Sequence, residues 1–148
     1  MSLATILSRV KTINAAITGV TTACDHTDVP DSLNTGNLPG AIVLAGEGDL
    51  TYGGGGDALA THRLRLLLYV VPASRGNLAQ NVAACIPFVE RFRNAYAQAM
   101  QLDSLSGVNW AYLRDYRVGL LPAYGGTEYV GVEFTLEVEE QESVTVGL

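Results

Sequence analysis

Positive charge is scarce in this sequence: Lys11 is the only lysine among nine basic residues, and the formal net charge is -6 over 148 residues. Holding nucleic acid requires a clustered basic surface, so a protein that grips DNA or RNA, sequence-specifically or not, is disfavoured from the outset. Cysteine is scarce too. Cys24 and Cys85 are too few for the disulfide framework of a secreted domain, although one bridge is compatible with the count, and they read as reduced thiols of an intracellular protein. No apolar run approaches the ~20 residues of a membrane span. The opening residues, MSLATILSRVKTINAAI, carry their basic side chains inside an apolar repeat and not ahead of an apolar block, which argues against a secretory signal. Charged residues make up 16% of the chain against 48% hydrophobic, so few charges are left to coat a surface, and surface covered by partners is the reading that follows.

The length fits one domain, 1–148, able to bury a core without metal or disulfide staples. The clearest element is YVGVEFTLEVEE, Tyr129 to Glu140. Val130, Val132, Phe134, Leu136 and Val138 alternate with Glu133, Thr135, Glu137 and Glu139, the period of a strand with one buried face. Burying the five apolar side chains contributes roughly 7 to 15 kcal/mol by area, an upper bound because the unfolded chain hides some of that surface already. The acidic face is the part that asks for a reason.

Upstream, Ser2 is placed to cap a helix whose stripe is Leu3, Ile6, Leu7, Val10, Ile13 and Ile17, ending near Gly19. Residues 20–40 read as a long connection, followed by a short strand at Ala41 to Ala45 and a second flexible loop over 46–60 that contains Gly53, Gly54, Gly55, Gly56 and Asp57. The stretch HRLRLLLYVV then predicts a strand with Leu64, Leu66, Leu68 and Val70 on one side and Arg63, Arg65, Leu67 and Tyr69 on the other, ended by Pro72. A long helix follows, with Leu78, Val82, Cys85, Val89, Phe92, Tyr96 and Met100 as its stripe, and Pro87 is expected to kink it or to begin a second helix. From Val108 to Val118 the phase of Val108, Trp110, Tyr112, Tyr116 and Val118 predicts a strand, which a turn at Pro122 to Gly126 joins to the last one as a hairpin. A polar tail occupies 141–148. The simplest architecture is α+β: one mostly antiparallel sheet of about four strands with two main helices on one face. The other face would then be exposed, with Arg63 and Arg65 able to pair across strands with Glu133, Glu137 and Glu139.

Motifs for chemistry are thin. A phosphate-binding glycine loop needs a Lys-Ser or Lys-Thr and a following helix, whereas here Asp57 and a strand come next, so Gly53 to Gly56 read as a flexible contact loop. Cys24, Asp25, His26 and Asp28 supply one half of a metal-site pattern, and no cofactor or metal is expected. Cys85 lies on an apolar stripe and reads as core. Glu133 and Glu137 on an open face lack the desolvation that separates acid from base, so no enzyme is expected.

Taken together, LPGAIVLAGEG, the glycine-rich break, HRLRLLLYVVP, FVERFRNAYA and GGTEYVGVEFTLEVEE resemble the tail-terminator, or tail-completion, family of long-tailed bacteriophages, from about Leu38 onward. The resemblance implies a virion protein, assembled in the host cytoplasm. It implies a ring, usually a hexamer, at the head-proximal end of the tail tube. There the ring would stop tube polymerisation and meet a head-completion or neck protein, with DNA passing through its channel. It brings no fixed site residue. On this expectation Arg63, Arg65, Glu133, Glu137 and Glu139 lie at a subunit contact or toward the channel. Another neck adaptor, or a small ligand-binding or hydrolytic protein, are the alternatives.

Overall fold

A computed structural model describes residues 2–52, 56–73 and 76–143. The elements are α1 (Leu3–Ala15), β1 (Thr22–Cys24), β2 (Gly40–Tyr52), β3 (Asp57–Pro72), α2 (Leu78–Ala97), β4 (Val108–Tyr124) and β5 (Thr127–Ser143). The architecture is α+β, two helices and a five-stranded mixed sheet in the order β1-β2-β3-β5-β4. Only the β1 pairing is parallel. Gly53 to Gly55 and the tail residues 144–148 lie outside the described residues.

The alternation in β5 is realised in full: Val130, Val132, Phe134, Leu136 and Val138 are buried against the helices. They meet Leu64, Leu66 and Leu68 of β3, Ile6, Leu7, Val10 and Ile13 of α1, and Cys85, Phe88, Phe92 and Tyr96 of α2. Ser2 does cap α1, its side chain accepting from the Thr5 amide at 3.3 Å. Asn77 caps α2 in the same way, accepting from the Gln80 amide at 2.8 Å. The two helices are tied by the Tyr96 hydroxyl donating to Asn14 Oδ1 and by Arg91 donating to the Thr18 carbonyl at 3.3 Å.

Five expectations need correction. Residues 20–40 are no bare connection: Thr22–Cys24 form a strand parallel to β2, too short to show a period. The loop over 46–60 is mostly strand, since β2 runs to Tyr52 and β3 starts at Asp57. Its exposed residues hid that, because they continue the sheet past the helices. Residues 141–143 likewise belong to β5 and not to a tail. The α2 helix runs through Pro87 without a break, and its inward residues are Asn81, Cys85, Phe88, Phe92 and Tyr96, leaving Leu78 and Met100 exposed. In β4, register shifts after Val108 and after Leu113 turn Trp110 and Tyr112 away from the helices while Val108, Tyr116 and Val118 stay on the helix side.

The second sheet face is also half covered. Leu67 and Tyr69, expected in solvent, are buried with Cys24, Leu33, Ile42, Leu121 and Tyr129. Residues 24–38 fold across that end of the face, and the Tyr129 and Tyr124 hydroxyls donate to the carbonyls of Leu33 and Pro30. The turn between β4 and β5 is made by Gly125 and Gly126, both with positive φ (59° and 83°), the geometry that suits the twist of a two-residue hairpin.

Candidate functional site: the charged face of the sheet

What remains open on the second face is its other half, and there the Arg and Glu residues meet. Antiparallel pairing sets Arg63 opposite Glu137 and Leu67 opposite Glu133, so Arg65 reaches Glu133 along a diagonal. Arg65 Nε donates to Glu133 Oε1 at 3.0 Å, and Arg117 of β4, directly across from Glu133, approaches its other oxygen at 3.4 Å. Glu137 sits 3.9 Å from both Arg63 and Arg114 and accepts the Tyr112 hydroxyl. Glu139 is joined by Asn109, whose Nδ2 donates at 2.9 Å. Arg63 is held further by Asp49 at 2.9 Å and Glu47 at 3.5 Å.

The irregularities of the strands place these groups. Gly46 and Gly48 lie so close to β3 that an added Cβ would meet the Arg63 carbonyl at 2.3 Å and the Thr61 carbonyl at 2.7 Å, and the register shift between Leu44 and Glu47 sits at the same point. That shift sets Glu47 opposite Arg63. The second shift in β4, after Leu113, leaves Arg114 on the charged face beside Glu137. Gly46, Glu47 and Arg63 line an open cleft of about 630 Å³ with Arg65, Arg114, Asp115 and Glu133.

Glu133 and Glu137 lie beneath their guanidiniums, whereas Arg63 lies beneath Glu47 and Asp49. The Glu133 and Glu137 side chains are 20% and 12% exposed, against 46% for Arg65 and 54% for Arg117. Burial alone would raise the Glu133 pKa, but the Arg65 hydrogen bond and the charges of Arg65 and Arg117 outweigh it and hold it below the usual carboxylate value. A depressed folded pKa adds stability at neutral pH, and that contribution disappears as pH falls through the folded value. Wild type should thus lose more stability than Glu133→Gln on acidification below the carboxylate range. The neutral-pH cost of that substitution should be about 1 kcal/mol or less. Urea midpoints at a series of pH values check this, and parallel curves for the two proteins would rule it out.

Asp25, Asp28, Cys24 and Cys85 are held by the fold. Asp25 accepts from the Thr27 hydroxyl and amide at 2.6 and 2.8 Å, Asp28 accepts from the Asp25 amide and from Lys11, and burial raises the Cys24 thiol. Burial pushes the Cys85 thiol up to about 11. Both cysteines are free. Among the described residues no three His, Cys, Asp or Glu side chains are grouped so as to hold a metal, and no helix is long and apolar enough to cross a membrane. Of the glycine loop, Gly56 has φ +92° and Asp57 opens β3 opposite Ser143.

The sequence pattern singled out Arg63, Arg65, Glu133, Glu137 and Glu139, and the structure brings all five onto one face. It missed Arg114, Arg117, Tyr112 and Asp49. The break in alternation at Arg114 was the one visible signal of a bulge. No family model matches the chain, and no curated protein matches it.

Proposed function

We propose that the chain is a structural subunit of a bacteriophage tail, acting as a tail terminator: copies form a ring, a hexamer by the family resemblance, that caps the tail tube and receives a neck protein. The observation that carries this reading is the apolar surface a single copy leaves in water at both ends of its sheet. Leu50 and Tyr52 project from one end, Ile86 and Tyr116 from the other, in a chain with little charge to spare. Such patches are covered when copies associate. The ladder supports a part in the same assembly. Its six carboxylates (Glu47, Asp49, Asp115, Glu133, Glu137, Glu139) outnumber its four arginines, and a face of that balance gives DNA no basic surface to cling to if it lines the channel. No step of catalysis is assigned to it.

The test is to add purified chain to polymerising tail-tube protein and to measure tube lengths by electron microscopy. A terminator shortens and narrows the length distribution at substoichiometric amounts, because one ring per end suffices. Tubes that grow to the same lengths with and without the chain would overturn the proposal and favour a head-side adaptor.

A further inference from the structure

Beyond Val138, the last wholly buried residue of β5, the helix-side face of the sheet continues for two more cross-strand rows: Leu50, Ala60 and Glu140, then Tyr52, Ala58 and Glu142. Leu50 and Tyr52 are 67% and 68% exposed. They flank a cleft of about 130 Å³ that Glu140 also lines. Glu140 itself is only 7% exposed. Its Oε1 meets His62 Nε2 at 3.2 Å, and its Oε2, buried, has no partner among the described residues. A buried carboxylate oxygen left without a donor is costly, and an arginine is the side chain best able to satisfy it. Apolar anchors beside an unmet acceptor call for an occupant that is apolar with one cationic donor.

The same molecule carries that complement elsewhere. The α2 helix packs over β4 and β5, at the far end of the strand order from β2. It leaves Ile86 59% exposed, and Arg93 follows seven residues later on the same helical face. Arg93 is exposed and has no hydrogen bond or ion pair among the described residues, unlike Arg91, which is spent on Thr18 and the Phe88 ring. Strand addition is the poorer way to join copies. The open edge of β2 is bulged between Leu44 and Glu47, and that of β4 is shifted at three places and carries Pro122.

The geometry points to a second copy of this chain as the occupant: Ile86 of one copy seats between Leu50 and Tyr52 of the next, and Arg93 brings its guanidinium to the Glu140 carboxylate in the wall of the cleft. The two patches differ and lie at opposite ends of the sheet, so the contact is head to tail. It repeats from copy to copy and closes when the rotation fits. This contact rests on the assembly proposed above and names the surfaces that build it.

The decisive experiment uses two full-length variants, Leu50→Ser with Tyr52→Ser, and Ile86→Ser with Arg93→Glu. All four positions are exposed, and circular dichroism melts confirm that each variant folds. Should the first pair fail to fold, Tyr52→Glu alone replaces it. Native mass spectrometry and sedimentation velocity then read association. Wild type should form closed oligomers, and each variant alone should associate roughly tenfold or more weakly. A mixture of the two should give a one-to-one dimer, because it restores a single intact contact and no more. Wild type that stays monomeric at its highest soluble concentration, variants that assemble as well as wild type, or a mixture that stays monomeric would each overturn the contact. Failure of the terminator reading looks different: oligomers form through these residues, yet tubes grow unchecked.

Discussion

Gly131→Ala is expected to cost about 3 kcal/mol or more, the upper end of overpacking penalties, although it adds one methyl group on a strand. Gly131 pairs with Tyr69 on one side and with Gly119 on the other, at the point where the β3–β5 register shifts between Tyr69 and Val71. Val70 is the extra residue of that shift. A Cβ at position 131 would lie 1.9 Å from the Leu68 carbonyl oxygen and 2.8 Å from Leu121 Cδ1. Leu121 can turn aside, but a backbone carbonyl within a ladder cannot do so without breaking its pairing. The loss should also reach the second apolar cluster, since Tyr69, Leu121 and Tyr129 surround the site. Urea denaturation measures the cost. A midpoint within error of wild type would mean that β3 does not bulge against β5 and that the register past Tyr69 is wrong.

That bulge marks the boundary of what the sequence discloses. Where a strand keeps strict period, as Val130 to Val138 does, faces can be read directly, and the pairing of Arg63 and Arg65 with the β5 glutamates follows once the two strands are neighbours. Where one residue slips in, every later side chain changes face. Plain alternation puts Trp110 and Tyr112 on the helix side for that reason, and it does not place Asn109 and Arg114, which the bulges bring to Glu139 and Glu137. Leu67 and Tyr69 were misread differently. Their alternation is sound, but what covers them is residues 24–38, an irregular segment whose path depends on tertiary contacts such as Tyr129 to the Leu33 carbonyl. For the distal rows the difficulty is reversed: Leu50 and Tyr52 sit among glycines and acids, so the strand carrying them looked like a loop. A strand that extends past its helices has no buried period to announce it.

The ladder also changes how the acidic face is to be understood. Three glutamates in alternation suggest a negative surface, yet Glu133 and Glu137 are the covered members of their pairs, and the outer layer mixes Arg65, Arg114 and Arg117 with Glu47 and Asp49. The repulsion expected among like charges is replaced by a balanced lattice whose individual pairs are each worth about 0.2–1 kcal/mol. Stability of the sheet cannot come chiefly from that face.

It comes from the other one, and Phe134→Ala should show this with a loss of about 3–5 kcal/mol. Phe134 is 1% exposed on β5, which lies between β3 and β4, and its ring stacks on Phe92 of α2 with centroids 4.7 Å apart and planes inclined by 12°. Phe92 is wholly buried, so truncating either ring leaves a cavity between helix and sheet that neither rigid element can close. Phe92→Ala should cost a similar amount, and the double variant less than the two losses together. The shortfall should be about 0.5–1.5 kcal/mol, the part that belongs to the ring pair and not to area. Equilibrium unfolding of the four proteins completes the cycle. Strict additivity would show that α2 does not seat Phe92 on Phe134. The α2 surface that presents Ile86 and Arg93 would then lose its fixed place on the sheet, and with it the geometry on which the contact between copies depends.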